Sequence, residues 1–411
     1  MRSKNKTAPG FLFLVATAGS GIFIIQLVIF MMGPLLVDIA DDLGVEVPVA
    51  GQLNTVTAGV WLFVAGSAGY FSDRYGRKPI LLIGLVATIV GVLGMGVAWT
   101  FPVAMLFRAV SGLGGLIPPT FSAFLADYVP ASSRGKAFGW MSATGGLAIV
   151  VGVPLTTLVG ELVGWRWSFV AAAAATALVG LFVFLRLPNP APVGNSGGIL
   201  TRFAPLARVG LIWDMSLVNM THRIAYFGFS TYFAAYLIVS HDLSTGQTAI
   251  PVAIIGVGTV VSPAVVGYMA DSRHRSKVMP VGLAISGVIA YLIFGVDLPL
   301  LLVVALGLLF TVAIFAPFTM FHTFLSLIGG RRLQGTAMNV PAFSNQSGAM
   351  FGPALGGLAL AIGGYGAIGL LCMVVAVFGS VVAAARVRDD RIRAATERIA
   401  RLDPQGNTDN R

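Results

Sequence analysis

The sequence predicts an all-α polytopic membrane protein, with twelve transmembrane helices in two pseudo-symmetric six-helix bundles. Three observations carry that prediction: apolar runs of membrane-crossing length recur along the whole chain, Lys and Arg fall on one side of them, and a charged turn occurs twice. Of 411 residues 56% are hydrophobic, 10% are charged and 51 are glycine. A soluble chain of this size has no single core able to hide so much apolar surface. Runs of about 20 apolar residues cross roughly 30 Å of hydrocarbon as helix. They are continuous rather than alternating, which argues against a transmembrane β-barrel.

The runs place spans at 11–36, 48–70, 79–99, 102–126, 137–161, 167–187, 212–239, 247–269, 278–296, 298–327, 336–362 and 366–385. With both termini in the cytoplasm, the leader, the tail and the loops after the even-numbered spans hold 23 of the 26 Lys and Arg. Positive charge resists translocation, so this bias sets the orientation. Topology thereby accounts for the net charge of +10, and no nucleic-acid partner is expected. The leader (Arg2, Lys4, Lys6, then Phe11–Val15 and Ala16-Thr17-Ala18) imitates a signal peptide, but hydrophobicity continues past it and an uncleaved first helix is the better reading. Cys372 is the only cysteine, so no internal disulfide can form. The expected location is the cell membrane of a bacterium or a plasma membrane, as a multi-pass, monomeric protein in contact with the bilayer.

Pro188, Pro190, Pro192, Gly194, Asn195, Gly197 and Gly198 mark a linker over 188–205. It separates an amino-terminal bundle (1–187) from a carboxyl-terminal one (206–385), which a basic tail follows (386–411). The halves repeat. Gly69-Tyr-Phe-Ser-Asp73-Arg-Tyr-Gly76-Arg77-Lys78 returns 198 residues later as Gly267-Tyr-Met-Ala-Asp271-Ser-Arg-His-Arg275-Ser-Lys277. Gly135 to Gly152 and Gly335 to Gly352 share a spacing of 17 residues, with Pro154 and Pro353 close behind. Duplicated membrane halves are a common build for secondary transporters, which carry cargo at the seam between them. Residues 386–403 read either as a basic amphipathic helix on the inner leaflet or as a disordered solubilising tail.

Charges inside the spans are the most telling chemistry. Arg223 falls near the middle of span seven, beside His222 and one turn after Asn219. An arginine there costs about 2.5–3.5 kcal/mol on insertion scales, so it should face a cavity or a partner. Two uses stay open: an anchor for anionic cargo, or a structural bond to Asp214 or backbone carbonyls. His222 is a candidate proton carrier. Arg108 lies about two turns below the outer surface, within snorkelling reach, and His322 lies toward the inner end of span ten. Asp38 and Glu161 fall near external ends and Asp214 near an inner end, leaving no acid at the membrane centre. Gln26, Gln52, Asn54, Asn345 and Gln346 are candidates for bonding cargo, or equally for joining helices. Tyr226, Phe227, Phe229, Tyr232 and Phe233 read as packing surface. Gly348, Gly352 and Gly356 share one face of span eleven and invite close helix approach, compatible with rocking of the halves. Asp73 and Arg77, four apart, are placed to pair across one helical turn, with Gly69 leaving room for another helix. The alternative is an ordinary positive-inside turn.

These residues resemble the major facilitator superfamily over nearly the whole chain. The Gly69–Lys78 segment resembles its signature loop, and Arg108-x-x-x-Gly112-x-Gly114 its fourth-helix motif. Asp127-x-x-Pro130-x-x-x-Arg134-Gly135 resembles the turn that follows. Gly146, Gly152-Val-Pro154 and Gly160 are similar to the fifth-helix motif of the twelve-span drug:proton antiporter branch, though Val153 interrupts the usual Gly-Pro and Thr156-Thr157 replaces a common glycine. The resemblance implies a gate in which Gly69, Asp73, Gly76, Arg77, Lys78 and Asp127 act together, with Asp73 latching the start of span eleven and Asp271 as its counterpart. It also implies a bend at Gly152 and Pro154 that keeps a proton path dry. No ATP-binding loop and no metal-site motif is present, so no cofactor, metal or enzyme activity is expected. The expected function is proton-coupled export of small amphipathic or anionic molecules. The alternatives are import or facilitated passage of an anionic metabolite and, more remotely, a non-transporting membrane sensor.

Overall fold

A computed structural model describes residues 10–188, 209–270, 275–337 and 341–402, and every regular element among them is helical. Asp271 and most of the expected linker lie outside the described residues. The helices are α1 (Phe11–Phe30), α2 (Met32–Asp42), α3 (Val47–Ala50), α4 (Gln52–Tyr75), α5 (Arg77–Gly96), α6 (Phe101–Ser111), α7 (Ile117–Tyr128) and α8 (Ala131–Leu147). They continue as α9 (Val153–Val163), α10 (Trp165–Arg186), α11 (Gly210–His241), α12 (Ala249–Ala270), α13 (Arg275–Gly295), α14 (Leu300–Ala337), α15 (Pro341–Arg386) and α16 (Asp389–Leu402).

Among the described residues ten stretches are long and apolar enough to cross a membrane. One of them contains two expected spans, because α15 breaks at Gly363 and Gly364, the latter at φ 67°. A further helix, α11, has the length to cross at 32 residues, but Asp214, Asn219, His222 and Arg223 dilute its hydropathy. This set fits the expected twelve. Edges moved where polar residues extend helices beyond hydrocarbon: α4 runs to Tyr75 and α14 to Ala337.

Two crossings change helix type midway. A 3-10 stretch, Gly112–Leu116, joins α6 to α7. Its glycines admit neighbouring helices: a Cβ on Gly112 would stand 2.7 Å from the Thr57 carbonyl, and one on Gly115 would stand 2.4 Å from the Trp61 ring. A π-helical stretch, Ala148–Gly152, joins α8 to α9 immediately before Pro154. Proline has no N–H to give and crowds the preceding turn, so the wider π turn accommodates it.

The helices before and after the linker touch along three seams: α2 with α11, α4 with α15, and α12 with α8, the π stretch and α9. Contacts concentrate away from the basic turns. There Asp38 accepts from Thr245 Oγ1 (2.8 Å), Glu161 accepts from the Gly246 N–H (2.9 Å), and Gly33 backs onto the Ser230 carbonyl. Gly59 against Met350 and Gly146 against Val260 lie deeper. Further toward the basic end, the same face of α4 is open: Phe63 is 79% exposed, and Cβ atoms on Gly66 or Gly69 would meet nothing. The corresponding stretch of α8 is open too, with Gly135 and Gly139 unopposed and Trp140 56% exposed. Among the described residues, the seams therefore close at one end and part at the basic end.

Gly348, Gly352 and Gly356 do pack closely, but within the second half and not across the seam. A Cβ on Gly348 would lie 2.4 Å from Arg223 Cβ, one on Gly352 2.8 Å from the Ile224 carbonyl, and one on Gly356 2.8 Å from the Tyr232 ring. They fasten α15 to α11, which is the close helix approach the spacing implied, with its partner in the same half. Of the two readings of the tail, the structure has the helical one, over α16. Val387, Ile392 and Ala395 are 1%, 2% and 5% exposed, and the helix contacts α14 and α11.

Candidate functional site

At mid-depth, where the seams begin to part, a small pocket is lined by Ile29, Asn54, Thr57, Ala58, Trp61, Arg108, Phe227, Gln346 and Ala349. Residues from both halves form it. A smaller space beside it is bounded by Phe30, Gly33, Asn54, Ser230 and Thr231. Side chains reach this depth because helical spacing brings Arg223, Phe227 and Ser230 onto one face of α11.

Arg108 does not snorkel. It is 1% exposed, with Nη2 donating to Asn54 Oδ1 at 2.9 Å, Nε to the Leu53 carbonyl at 3.4 Å and Nη1 toward the Val28 carbonyl at 3.5 Å. The glycines that follow it let α6 sink against α4, which removes the path to the surface that the sequence depth implied. Asn54 in turn donates to Thr231 Oγ1 across the seam (3.4 Å), so one amide joins the buried guanidinium to the opposite half.

Arg223 is different. Its guanidinium carbon lies 5.1 Å from the Phe227 ring centre and 5.0 Å from that of Phe318, and its Nε is buried with no acceptor. Among the described residues it makes no hydrogen bond or ion pair. The structural bond to Asp214 is excluded, since Asp214 pairs with Arg391 at 3.6 Å. Two desolvated cation–π contacts are worth about 2 kcal/mol each, enough to offset an insertion cost of about 3 kcal/mol. They cover the faces of the guanidinium and leave its N–H edge unpaired.

His222 is 1% exposed, and neither ring nitrogen has a hydrogen-bond partner. The Ile314 and Asn219 carbonyls are nearby without hydrogen-bonding geometry. The ring is surrounded by Tyr226, Phe315 and Phe318, with centres 6.4, 6.5 and 5.8 Å away. His322 packs edge-on at the other end of this cluster, its ring centre 4.3 Å from that of Phe318, with Nδ1 bonded to the Phe318 carbonyl at 2.9 Å. Asn219 donates to Asn345 Oδ1 and Ser344 Oγ, both at 2.8 Å, so Asn345 joins helices. Gln26 packs beside Gly145 and does not line the pocket. Phe318 was not foreseen as part of the site; a phenylalanine in an apolar span carries no distinguishing signal. Tyr226 and Phe227, expected as plain packing, wall the cationic cluster. Among the described residues no group of His, Cys, Asp and Glu has the geometry of a metal site.

The sequence profile of the Major Facilitator Superfamily matches residues 18–349. The chain belongs to that superfamily. It is a multi-pass secondary transporter, and not an enzyme. It is 30% identical over 395 residues to the MFS-type transporter YwfA of Bacillus subtilis (strain 168), covering 92% of each chain. It is 28% identical to Multidrug resistance protein 1 of the same organism, over 82% of this chain and 87% of that one. In fold it is similar to a bacterial homologue of the human lysosomal transporter Spinster, solved inward-facing and unoccupied, with a TM-score of 0.70, 18% identity, and coverage of 97% and 99%.

The transporter's signature turn is organised by Arg77, which donates to Asp127 (3.0 Å), to Ser72 Oγ (2.7 Å) and to Asp73. Asp73 and Arg77 do not share a helical turn as their spacing implied. Gly76, at φ 94°, ends α4 and starts α5 between them, a conformation open to glycine alone at low cost. Arg77→Gln is expected to cost about 1–3 kcal/mol, less than a fully buried pair because both carboxylates reach water. Thermal unfolding in detergent checks this, and an unchanged midpoint would reject it. Lys78 is not in this network; it lies over the Phe184 ring, 5.6 Å from its centre. The fifth-helix glycines serve close packing. Cβ atoms on Gly152 and Gly160 would crowd Phe23 (3.0 Å) and Leu35 (2.5 Å), while Gly146 faces Val260 across the seam.

Proposed function

We propose that this transporter moves amphipathic organic anions by alternating access of its two six-helix halves, outward and in exchange for protons. The observation that carries the reading is Arg223: a guanidinium held against Phe318 and against Phe227, which lines the pocket, without a carboxylate. A bound carboxylate or sulfonate would take the free N–H edge, and the two phenylalanines would receive an apolar body. Arg108 lends a second positive charge from the opposite wall, and every carboxylate of the chain lies away from the membrane centre. A cation would meet no counter-charge there. Positive-inside bias makes the basic end cytoplasmic, so the parted seams describe an inward-facing state. The outward direction draws support from the similarity to a multidrug resistance protein.

A second reading is favoured by one feature. His222 adjoins Arg223, and a proton on His222 would attract the same anion that Arg223 attracts. Proton and anion that load together travel together, which under an inward proton gradient gives uptake. Counterflow in oriented vesicles separates the readings: an imposed inward proton gradient should drive a labelled amphipathic acid out under the first reading and in under the second. No response to the gradient in either direction would reject proton coupling.

A further inference from the structure

The 198-residue offset that carries Asp73 onto Asp271 also carries Arg77 onto Arg275. In the first half, Arg77 Nε donates to Asp127, at the foot of α7, over 3.0 Å. The second half has no such residue. Leu325 stands 198 residues after Asp127, and no Asp or Glu occurs between Asp297 and Asp389. Arg275 nevertheless has a carboxylate on the same atom: its Nε donates to Asp389 Oδ1 at 2.7 Å, and Asp389 belongs to the tail helix. The two side chains are 25% and 27% exposed, close to the 32% of Asp127.

We propose that the tail helix α16 supplies to the second half the carboxylate its own membrane helices lack, so that Asp389 positions Arg275 as Asp127 positions Arg77. The tail is then a working part of the gate. Three features fix it there. Val387 just before it and Ile392 and Ala395 on it are buried. Arg391 pairs with Asp214 at the foot of α11, the helix that bears Arg223, so one element joins Arg275 to the helix of the cationic site. Burial pushes the Asp389 carboxyl up, but hydrogen bonds from Arg275 and Ser276 and the charges of Arg275 and Arg393 outweigh it and hold the group below the usual carboxylate range. The pair is therefore intact at neutral pH and is lost only as pH falls through that lowered value. An Arg275 side chain held in one conformation loses less freedom when the basic end closes, and closure is favoured accordingly.

The test needs no cargo. In full-length protein carrying Cys372→Ser, a cysteine placed by Gly66→Cys reports opening of the basic end through its rate of labelling by a membrane-impermeant maleimide. Asp389→Asn should raise that rate at least about threefold, the effect expected of Asp127→Asn, since a shift of about 0.65 kcal/mol in a two-state equilibrium is threefold. Asp389→Glu should restore the original rate, and so should the exchange of Arg275→Asp with Asp389→Arg. A purely structural anchor would instead lower the unfolding midpoint while leaving the labelling rate unchanged. An unchanged rate in Asp389→Asn, or a rise that the exchange leaves in place, would overturn the proposal.

Discussion

Arg223→Ala is expected to abolish anion binding while leaving a folded, membrane-inserted protein. Removing one partner of a buried, hydrogen-bonded charge pair costs about 2–5 kcal/mol, or about 30-fold to several thousand-fold in Kd. The fold should tolerate the change, because the insertion cost of about 2.5–3.5 kcal/mol disappears with the charge. Only the two ring contacts to Phe227 and Phe318 are lost on the other side of the balance. Arg223→Lys should fall between, since an ammonium keeps the charge but loses the planar fork that meets a carboxylate with two bonds. Thermal shift of purified protein against amphipathic acids, neutral analogues and cations provides the ligand. Titration of the best acid against the Arg223→Ala protein then decides: equal affinity would reject the anchor.

Gly352→Leu should have the larger structural effect. A side chain there meets the Ile224 carbonyl at 2.8 Å, the Gly228 N–H nitrogen at 2.9 Å and Phe227 Cβ at 2.9 Å. Two of the three obstacles are backbone, which cannot rotate away. The helices α11 and α15 would have to separate along the line where they are most closely joined, and van der Waals contact is the main force holding helices together in lipid. The expected result is little monodisperse protein after extraction in mild detergent. Gly66→Leu, on the open stretch of α4, should extract normally. Equal yields of the two would show that the α11–α15 contact is not essential to the fold.

The fold was legible in the sequence because the bilayer admits few solutions: twenty-residue apolar runs, one-sided charge and a repeated turn leave little freedom. Arg223 was legible for the same reason, as a charge where a charge is costly. What stayed hidden depends on which faces meet. Arg108 is placed by depth alone at a point from which it can snorkel, but glycines at 112, 114 and 115 draw its helix inward, and those glycines look like any others. The Gly348, Gly352 and Gly356 stripe announced close packing without naming its partner, and the partner proved to be local. Phe318 became part of the site only when α14 placed it over Arg223. Asp389 was visible merely as one acid in a basic tail; its use appears once the tail folds back on Arg275.

The break at Gly363 and Gly364 is one of several very short connections at the end opposite the basic turns. There the links 43–46, 97–100 and 296–299 have four residues each, 242–248 has seven with a 3-10 turn at Gly246–Thr248, and Gly164 alone joins α9 to α10. With the orientation proposed above, the outside of a cell would be shown helix tips and almost no loose peptide. Proteases and linear-epitope antibodies would find few targets there, and binders raised for imaging or inhibition would have to recognise a shape composed of several helix ends. Since that shape changes whenever the seams open or close, such a binder would also report which state it had captured.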